Sequence, residues 1–257
     1  MNDPIGKRLI SMGQRELRAS KKKIYSFTGD AEADELVNDL KRYPHAFLIA
    51  CIADRQQSAE RAWLLPKLLR DRIGSFEFSK LRSVSKTRLR RIFSARPRNY
   101  PKKLHIYPNV VADSVHAALE IVDRKYDGNA AKIWSGRPSS AGAVYRFLEF
   151  PGIGTKIATM AVNILACHLN VPFGDTYSID ISPDRHVKRV FTRLGLIRER
   201  APNEELIYRA RSLWPEFPGL LDGPAFRIGR KWCSPTNPNC GKCDMCGVCP
   251  SVGSFSK

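Results

Sequence analysis

The sequence predicts an all-α fold, and three observations support this prediction. In several segments apolar residues recur every three to four positions, which is the spacing of one face of a helix. Proline or glycine stands near the ends of these segments, where helices commonly begin and stop. No segment shows the alternation of apolar and polar residues that is typical of a half-buried strand. We therefore expect a fold of helices and connecting loops.

The expected helices follow one another along the first half of the chain. Residues 1–28 show no periodicity that predicts an element and are rich in Lys and Arg, so we interpret them as a basic N-terminal arm. Residues 31–42 follow Gly29-Asp30 and carry apolar residues at helical spacing. Further helices are expected over 46–57, where the apolar run 46–53 continues into Gln56 and Gln57, over 61–73 and over 110–126.

The charge of the chain points to an anionic partner. Lys and Arg total 43 against 25 Asp and Glu, which gives a formal net charge of +18. Ten basic residues and no acidic one lie between Lys80 and Lys103. Such a run is usually a solvated helix face with a loop. Charges this dense repel one another unless a counter-charge arrives, however, and a phosphate backbone supplies one. We favour nucleic acid as the partner.

Membrane and secreted classes are disfavoured. The apolar stretch 46–53 is too short to span a bilayer. The first 25 residues carry seven Lys and Arg residues and no apolar core, unlike a secretory signal. We expect a reducing cytoplasmic or nucleoid setting.

Residues 144–166 are expected to form two helices joined by the turn Pro151-Gly152-Ile153-Gly154. Pro151 breaks the first helix, and the two glycines allow backbone conformations and close approaches that side chains forbid. The turn would present the backbone N–H groups of residues 152–154 at the start of the second helix, which is a site for a phosphate oxygen. A tight connection without a ligand is the alternative.

Lys156 follows on the first turn of the second helix. Its neighbours Ile157, Ala158 and Met160 are apolar, so we expect the amine to be partly desolvated. Desolvation favours the neutral amine, which can attack carbon. On the local sequence alone, a surface lysine that contacts phosphate remains the preferred interpretation.

Five of the seven cysteines lie in the last 25 residues, with the spacing Cys233-x6-Cys240-x2-Cys243-x5-Cys249 and with Cys246 as a spare. A disulfide scaffold usually spreads its cysteines through a short chain, and a zinc ribbon needs two pairs separated by a longer loop. Four thiolates in so compact a segment favour a 4Fe–4S cluster, with zinc as the alternative.

Three motifs occur in a fixed order. They are the hairpin Leu148-x-Phe150-Pro151-Gly152-Ile153-Gly154-Thr155-Lys156-x-Ala158, the stretch Asp184-Arg185-His186-Val187-Lys188-Arg189-Val190, and the cysteine spacing. A weaker fourth motif is Leu48-Ile49-Ala50 followed by Gln56. Together they resemble the base-excision DNA glycosylases related to endonuclease III, from about Pro44 to Cys249.

The resemblance implies a bifunctional DNA glycosylase and AP lyase that acts on double-stranded DNA containing a damaged or modified base. Lys156 has the position of the lysine nucleophile, which would attack C1′ of a flipped nucleotide. Asp184 has the position of the essential aspartate, and an oxidised pyrimidine is the default substrate. Asp180 is the alternative carboxylate but lacks the His-Val-x-Arg-Val context, and His186 is expected to be structural.

The resemblance also implies a cofactor and a DNA-binding surface. Cys233, Cys240, Cys243 and Cys249 would hold a 4Fe–4S cluster that staples the C-terminal segment, with Cys246 as a non-ligand. The implied DNA-binding residues are Gln56, Gly152, Ile153, Gly154, Thr155, Arg230 and Lys231. Arg185 departs from the family pattern, which commonly has a small residue there, and is expected to add a phosphate contact. Arg227 and Lys242 are also expected to point towards phosphate.

The implied architecture is a monomer of two helical domains with a DNA-binding cleft between them. A central domain would span residues 44–166 and include the hairpin. The second domain would combine residues 29–43 with 167–257 and end in the cluster loop.

Two segments depart from the family pattern or lack a clear match. The connection 167–183 is longer than expected, and because it borders the expected base pocket it bears on substrate specificity. Residues 94–108 occupy the place of a loop that wedges into the duplex in relatives. Tyr100 and Tyr107 are the candidates for the wedge, with packing in the core or loop as the alternative.

Three other functions remain open. A monofunctional glycosylase would release the base without a covalent intermediate, and a non-catalytic iron–sulfur module would only bind DNA. An electron carrier is disfavoured because it leaves most of the chain and its basic charge unexplained.

Overall fold

The computed structural model describes residues 3–20, 24–98 and 102–254, and over these ranges it confirms the predicted all-α fold, with no strand. Its twelve α-helices in the described ranges are α1 (Pro4–Ser20), α2 (Ala31–Asn38), α3 (Pro44–Ala53), α4 (Ala59–Ile73), α5 (Phe78–Arg82), α6 (Lys86–Ser94), α7 (Pro108–Tyr126), α8 (Ser140–Leu148), α9 (Thr155–Cys167), α10 (Arg185–Arg193), α11 (Asn203–Leu213) and α12 (Asp222–Lys231). Short 3₁₀-helices lie at Ala130–Ile133, Pro218–Leu221 and Cys240–Lys242.

The chain divides into two compact units. The central unit comprises residues 23–138 and 145–158, and the terminal unit comprises residues 1–22, 139–144 and 159–257. Helices α8 and α9 therefore contribute residues to both units. None of the helices in the described ranges has both the length and the apolar character that crossing a membrane requires.

The core of the central unit is built around α3, in which every residue is buried. Pro44 occupies the first turn of α3, where a missing N–H leaves no helical hydrogen bond unmade. The ring of Phe47 lies 5.4 Å from that of Trp63 and 5.7 Å from that of Trp134. Trp134 in turn stacks on Phe147 at 6.0 Å. This aromatic packing holds α3 against α4, the Ala130–Ile133 turn and α8.

Helix α3 ends at Ala53, four residues before its predicted end. Gln56 has a φ of 53°, in the left-handed region, and the side-chain amide of Gln57 donates to the Ala53 carbonyl at 3.0 Å. The prediction of a helix continuing to Gln57 is wrong, because a left-handed residue cannot extend a right-handed helix.

Residues 29–43 belong to the central unit, whereas the sequence-based division grouped them with the C-terminal segment. The buried carboxylate of Asp34 accepts hydrogen bonds from the backbone N–H groups of Phe27, at 3.1 Å, and Thr28, at 2.9 Å. The ring of Phe27 stacks on Trp63 of α4 with centroids 4.1 Å apart. These contacts place residues 29–43 in the central unit, and the apolar spacing of the sequence does not predict them.

Helix α1 fills most of the segment that we interpreted as a basic arm. The Asp3 carboxylate accepts from the N–H groups of Ile5 and Gly6 at 3.0 and 2.9 Å and so caps the helix. Leu9 and Met12 are buried in the core of the terminal unit together with residues of α10 and α12. The spacing of Ile5, Leu9 and Met12 is helical, and it is the signal from which the sequence could have predicted α1.

The long connection 168–183 is tied to the terminal unit at several points. The carboxylate of Asp175 accepts from both the N–H, at 3.3 Å, and the hydroxyl of Ser140. The N–H of Gly219 donates to the Ile179 carbonyl at 2.7 Å. Tyr177, between these two anchors, remains 57% exposed. The connection is therefore a fixed segment that presents an aromatic side chain to solvent.

Candidate functional site

The predicted helix-hairpin-helix is present, formed by α8, the turn of residues 149–154 and α9. Ile153 donates its N–H to the Phe150 carbonyl at 3.1 Å and buries its side chain, which anchors the turn. Ala158 donates to the Gly154 carbonyl at 2.9 Å, so α9 begins directly after the turn. The backbone N–H groups at the start of α9 are thus gathered at one end of the helix, where an anion is favoured.

The two glycines of the turn differ in backbone conformation and in the space around them. Gly152 has a φ of +91°, and a Cβ there would come within 3.2 Å of the Ser114 hydroxyl. The fold itself therefore requires glycine at position 152. Gly154 is exposed, and a Cβ added there would meet nothing within 4 Å. The structure gives no internal reason for glycine at position 154, and this leaves space in which a ligand could approach the backbone.

Lys156 lies in the first turn of α9, within the central unit, and is half-buried. Ile157 and Ala158 are buried, as their apolar character predicts, whereas Thr155 is exposed. The lysine therefore follows the open backbone at Gly154 by two residues, on the same helix terminus.

Asp184 belongs to the terminal unit and caps α10. Its carboxylate accepts from the N–H of His186 at 2.7 Å, so this helix terminus holds the side chain in place. Arg185, the first residue of α10, is exposed to solvent. The ring nitrogen Nδ1 of His186 lies 2.9 Å from the Arg189 guanidinium and 3.4 Å from the Gly229 carbonyl, which fits its expected structural role.

The alternative carboxylate, Asp180, is engaged in a structural ion pair. Its two oxygens accept from Nε and Nη2 of Arg211 at 2.7 and 2.9 Å, and the Asp180 side chain is only 14% exposed. A bidentate arginine pair of this kind is a strong, geometrically specific contact. Asp180 is therefore a poorer candidate for chemistry than Asp184.

A third carboxylate, Asp222, was missed by the sequence analysis. It is buried at the start of α12, and burial raises the pKa of Asp222 to about 6. One of its oxygens accepts from the N–H of Ser182 at 3.3 Å and lies 3.4 Å from the amide nitrogen of Asn163. The apolar pair before it, Leu220-Leu221, was a local sign of burial.

The basic run from Lys80 to Lys103 is partly neutralised by α7. Asp113 accepts two hydrogen bonds from Arg90, at 2.7 and 2.6 Å, and lies 3.7 Å from Lys86. Arg82 lies 3.1 Å from Asp123 in the same way. Part of the counter-charge for this run therefore comes from within the chain, because α7 packs against α5 and α6 and carries acidic residues towards them. Other members of the run are exposed to solvent: Lys80, Arg88, Arg91, Arg96, Arg98 and Lys102.

Two more candidate DNA contacts lie on loops of the central unit. Gln56 is exposed on the bend after α3. Tyr107 and its neighbour Ile106 are each 47% exposed immediately before α7. Tyr107 therefore has the exposure that a wedge residue needs, and Ile106 is an apolar neighbour that the sequence analysis did not single out. Tyr100, the other wedge candidate, lies outside the described residues.

Solved structures share this fold over most of the chain. A non-covalent endonuclease III–DNA complex matches with a TM-score of 0.64 at 18% identity, over 99% of this chain and 98% of that chain. A trapped endonuclease III–DNA covalent intermediate matches with a TM-score of 0.60 at 19% identity, over 88% of this chain and 95% of that one. A thermostable thymine-DNA glycosylase gives 0.59 at 17% identity, over 98% and 100% of the two chains. This likeness is one of fold.

Curated relatives add a likeness of sequence. Endonuclease III-like protein 1 of Gallus gallus is 31% identical over 120 residues, which is 44% of this chain and 38% of that protein. Endonuclease III of Thermotoga maritima is 32% identical over 103 residues, which is 40% of this chain and 43% of that protein. The chain thus matches about two fifths of the length of these relatives. The chain is therefore similar to proteins named endonuclease III in fold over most of its length, and in sequence over about two fifths of it. No family profile matches it.

The cysteine loop lies against the core of the terminal unit. Cys233, Cys243 and Cys249 all pack against the same apolar cluster. The N–H of Met245 lies 3.5 Å from Sγ of Cys243, and the Arg193 guanidinium lies 3.3 Å from Sγ of Cys233. Hydrogen-bond donors directed at cysteine sulfurs suit thiolate ligands of an iron–sulfur cluster.

The remaining cysteines are close neighbours of the same sulfurs. Burial raises the pKa of Cys249, and the nearby thiols of Cys233, Cys240 and Cys246 raise it further. Within the described ranges, no three cysteine, histidine or acidic side chains are arranged as a metal-binding group. The fit to a 4Fe–4S group therefore rests on the thiol donors alone and not on their arrangement, and the choice between Cys240 and Cys246 stays a prediction.

Basic residues around the cysteine loop have two different environments. Arg227, expected to point towards phosphate, instead bridges Glu16 of α1 at 2.8 Å and Asp244 of the loop at 2.6 Å. It holds the loop to α1, so the expectation of a phosphate contact is wrong for this residue. Arg230 and Lys231, at the end of α12, are exposed as a DNA contact requires.

Proposed function

We propose that this chain is a base-excision DNA glycosylase with an associated AP lyase activity, and that Lys156 is its nucleophile. The observation that carries the proposal is the position of Lys156 on the first turn of α9, two residues after the open backbone at Gly154, in an endonuclease III-like fold. A lysine with only a surface role does not need to be half-buried beside the open backbone of the hairpin turn.

The hairpin turn would bind and orient the DNA. Backbone N–H groups at the start of α9 can donate to a phosphate oxygen, and the helix dipole favours the negative charge. The space at Gly154 lets the phosphate approach the backbone, and Thr155, which is exposed, carries a hydroxyl next to that space. Exposed basic residues of the run 80–103 would bind the neighbouring backbone.

The chemistry would begin with a nucleotide flipped out of the duplex. The neutral amine of Lys156 attacks C1′ of its deoxyribose, the glycosidic bond breaks, and the bonding electrons leave with the base, which takes up a proton. The sugar ring then opens to a Schiff base. Loss of a C2′ proton expels the 3′ phosphate and nicks the strand on that side.

Asp184 would act on the same sugar through its charge. A carboxylate can take the proton that Lys156 must lose, and it stabilises the positive charge that develops on the sugar as the base departs. The cap of α10 holds the Asp184 side chain at the start of this helix, whereas both oxygens of Asp180 are held by Arg211. The family resemblance supports Asp184 as the catalytic carboxylate, and the ion pair of Asp180 disfavours the alternative.

The substrate class rests on the family resemblance, which favours an oxidised pyrimidine in double-stranded DNA and a monomeric enzyme. Cys233, Cys240, Cys243 and Cys249 would hold a 4Fe–4S cluster. When bound, that group would staple the C-terminal loop and supply no step of base removal.

Borohydride trapping tests the proposal, because borohydride reduces a Schiff base to a stable covalent adduct. We expect the protein to be trapped on a duplex that contains thymine glycol or an abasic site, and Lys156→Gln to give no adduct. Lys132→Gln, which changes a lysine that pairs with Asp127, is the control and should be trapped like the wild type. Base release without an adduct would instead establish a monofunctional glycosylase. Binding without base release would leave a DNA-binding module.

A further inference from the structure

His105 is completely buried between two loops of the central unit. Its Nε2 lies 3.0 Å from the backbone carbonyl of Arg55, the residue before Gln56. Its Nδ1 accepts a hydrogen bond of 2.9 Å from the N–H of Tyr107. One imidazole ring therefore connects the bend after α3 to the loop that leads into α7.

These two contacts select a single form of the ring. A carbonyl oxygen can only accept, so Nε2 must carry the hydrogen, and a backbone N–H can only donate, so Nδ1 must not. Burial lowers the pKa of His105, and the positive charges of Arg61 and Arg55 lower it further. Both effects favour the neutral ring that the hydrogen bonds require.

Arg61 strengthens the connection from α4. Its Nη2 donates to the Lys103 carbonyl at 2.7 Å, two residues before His105 in the chain. The backbone from Lys103 to Tyr107 is therefore held at both ends, although Ile106 and Tyr107 each remain 47% exposed. Apolar side chains displayed on so firmly held a backbone suit contact with a partner more than local packing.

We propose that His105 is a positioning residue that holds Gln56 and the Ile106–Tyr107 pair in a fixed relation for contact with the duplex. The inference rests on the proposed function, because it assumes that both loops meet DNA. His105 touches neither substrate nor reacting atoms and acts through the two backbones that it joins. A small displacement of these loops would slow extrusion of the base, since catalytic rates are sensitive to such misplacement.

The test compares His105→Phe with His45→Phe. Phenylalanine keeps the ring volume but removes both hydrogen bonds. His45 is the matched control, because it is a buried histidine of the same unit whose Nε2 lies 2.8 Å from the Phe76 carbonyl, on neither loop. We expect His105→Phe to reduce base excision from a thymine-glycol duplex roughly 10- to 100-fold. Cleavage at a preformed abasic site should fall much less, because no base has to leave the stack.

A rescue variant and a spectrum separate positioning from folding. His105→Gln keeps a donor for the Arg55 carbonyl and should restore part of the excision rate. Long-range ¹H–¹⁵N correlation of the wild type should show His105 as the neutral ring with its hydrogen on Nε2. The opposite tautomer, or wild-type excision by His105→Phe, would overturn the inference. The inference would also be overturned if His105→Phe lost activity equally on the thymine-glycol and abasic-site duplexes and melted at a lower temperature than His45→Phe.

Failure of the proposed function has a different signature. A wild-type protein that excises no base and cleaves no abasic site overturns the proposed function, and the role of His105 on DNA with it. An active wild type with unaffected His105 variants overturns the inference alone.

Discussion

Asp180 and Asp184 lie four residues apart, and their carboxylates have different hydrogen-bond partners. Asp180 is neutralised by two hydrogen bonds from Arg211, whereas Asp184 accepts from the N–H of His186 at a helix terminus. Asparagine caps helices about as well as aspartate, so the charge at position 184 can be removed without losing the cap.

We expect Asp184→Asn to keep the melting temperature and to slow base excision by roughly 100-fold or more. Asp180→Asn should do the opposite, because it breaks a partly buried ion pair at a cost of about 1 kcal/mol and leaves the chemistry intact. Thermal melting and single-turnover excision on one duplex would measure both effects. If Asp184→Asn excised the base at the wild-type rate and Asp180→Asn did so slowly, Asp180 would be the catalytic carboxylate and Asp184 the structural one.

Asp222 makes stability depend on pH. Burial raises the pKa of Asp222 to about 6 from its ordinary value of 3.8, so between these values the folded state binds the proton more strongly than the unfolded state. Its contribution to stability is therefore complete below pH 4 and is lost as the pH rises through 6, by about 3 kcal/mol in total. Above pH 6 the folded protein must bury a charge near Asp184, which also raises this pKa.

Asp222→Asn should remove this loss, because the amide is neutral and its oxygen can still accept from the Ser182 N–H. We expect the variant to gain stability relative to the wild type at pH 8 and to gain little at pH 4.5. Urea unfolding at the two pH values measures the difference. An equal change at both would show that Asp222 does not titrate between them.

At the scale of elements, the hairpin contains two glycines, of which the fold requires Gly152 and does not require Gly154. Gly152→Ala must hold a Cβ at a φ of +91° close to Ser114, and should lower the free energy of unfolding by about 1–3 kcal/mol. Gly154→Ala meets open space and should leave stability unchanged. If a phosphate approaches there, Gly154→Ala will still weaken binding to an abasic-site duplex. Unchanged binding would remove position 154 from the DNA surface.

The cysteine loop is the second element that a matched pair can test. Cys240→Ala should lose the brown colour of an iron–sulfur cluster and melt at a lower temperature, because the loop would lose one of its four ligands. Cys246→Ala should keep both the colour and the melting temperature. Visible absorbance, iron content and thermal melting check this, and the reverse pattern would make Cys246 the ligand.

At the scale of the whole molecule, some basic side chains pair with acidic side chains of the chain itself, and others are exposed to solvent. Arg90 is held by both oxygens of Asp113, whereas Arg88, on the same helix, is exposed and pairs with no acidic side chain in the described ranges. Only a cation available to phosphate contributes to the release of counterions on binding.

Arg88→Gln should therefore reduce the slope of log affinity against log salt by about 1. Arg90→Gln should change the slope little, because that charge is already balanced by Asp113. Fluorescence anisotropy with an abasic-site duplex at several salt concentrations would measure both slopes. Identical slopes for the two variants would mean that α6 does not meet the DNA backbone.

Much of the fold and the site could be predicted where a few neighbouring residues determine the outcome. The hairpin turn was predictable because Pro151 restricts the backbone and Gly152 allows the left-handed conformation that the turn needs. The end of α3 was not, since Gln56 turns left-handed without any glycine or proline to announce it. The buried Asp222 was also missed, because burial depends on Asn163 and Ser182, which lie far from it in the sequence.

The sequence by itself determined the helical class, the hairpin and the cysteine spacing, because each depends on local backbone preference or on short-range spacing. Tertiary structure alone decided that residues 29–43 join the central unit, through Asp34 and the stacking of Phe27 on Trp63. It also decided that one buried histidine, His105, connects two loops some 50 residues apart. Such contacts depend on which distant surfaces meet when the chain folds, and periodicity along the chain carries no record of them.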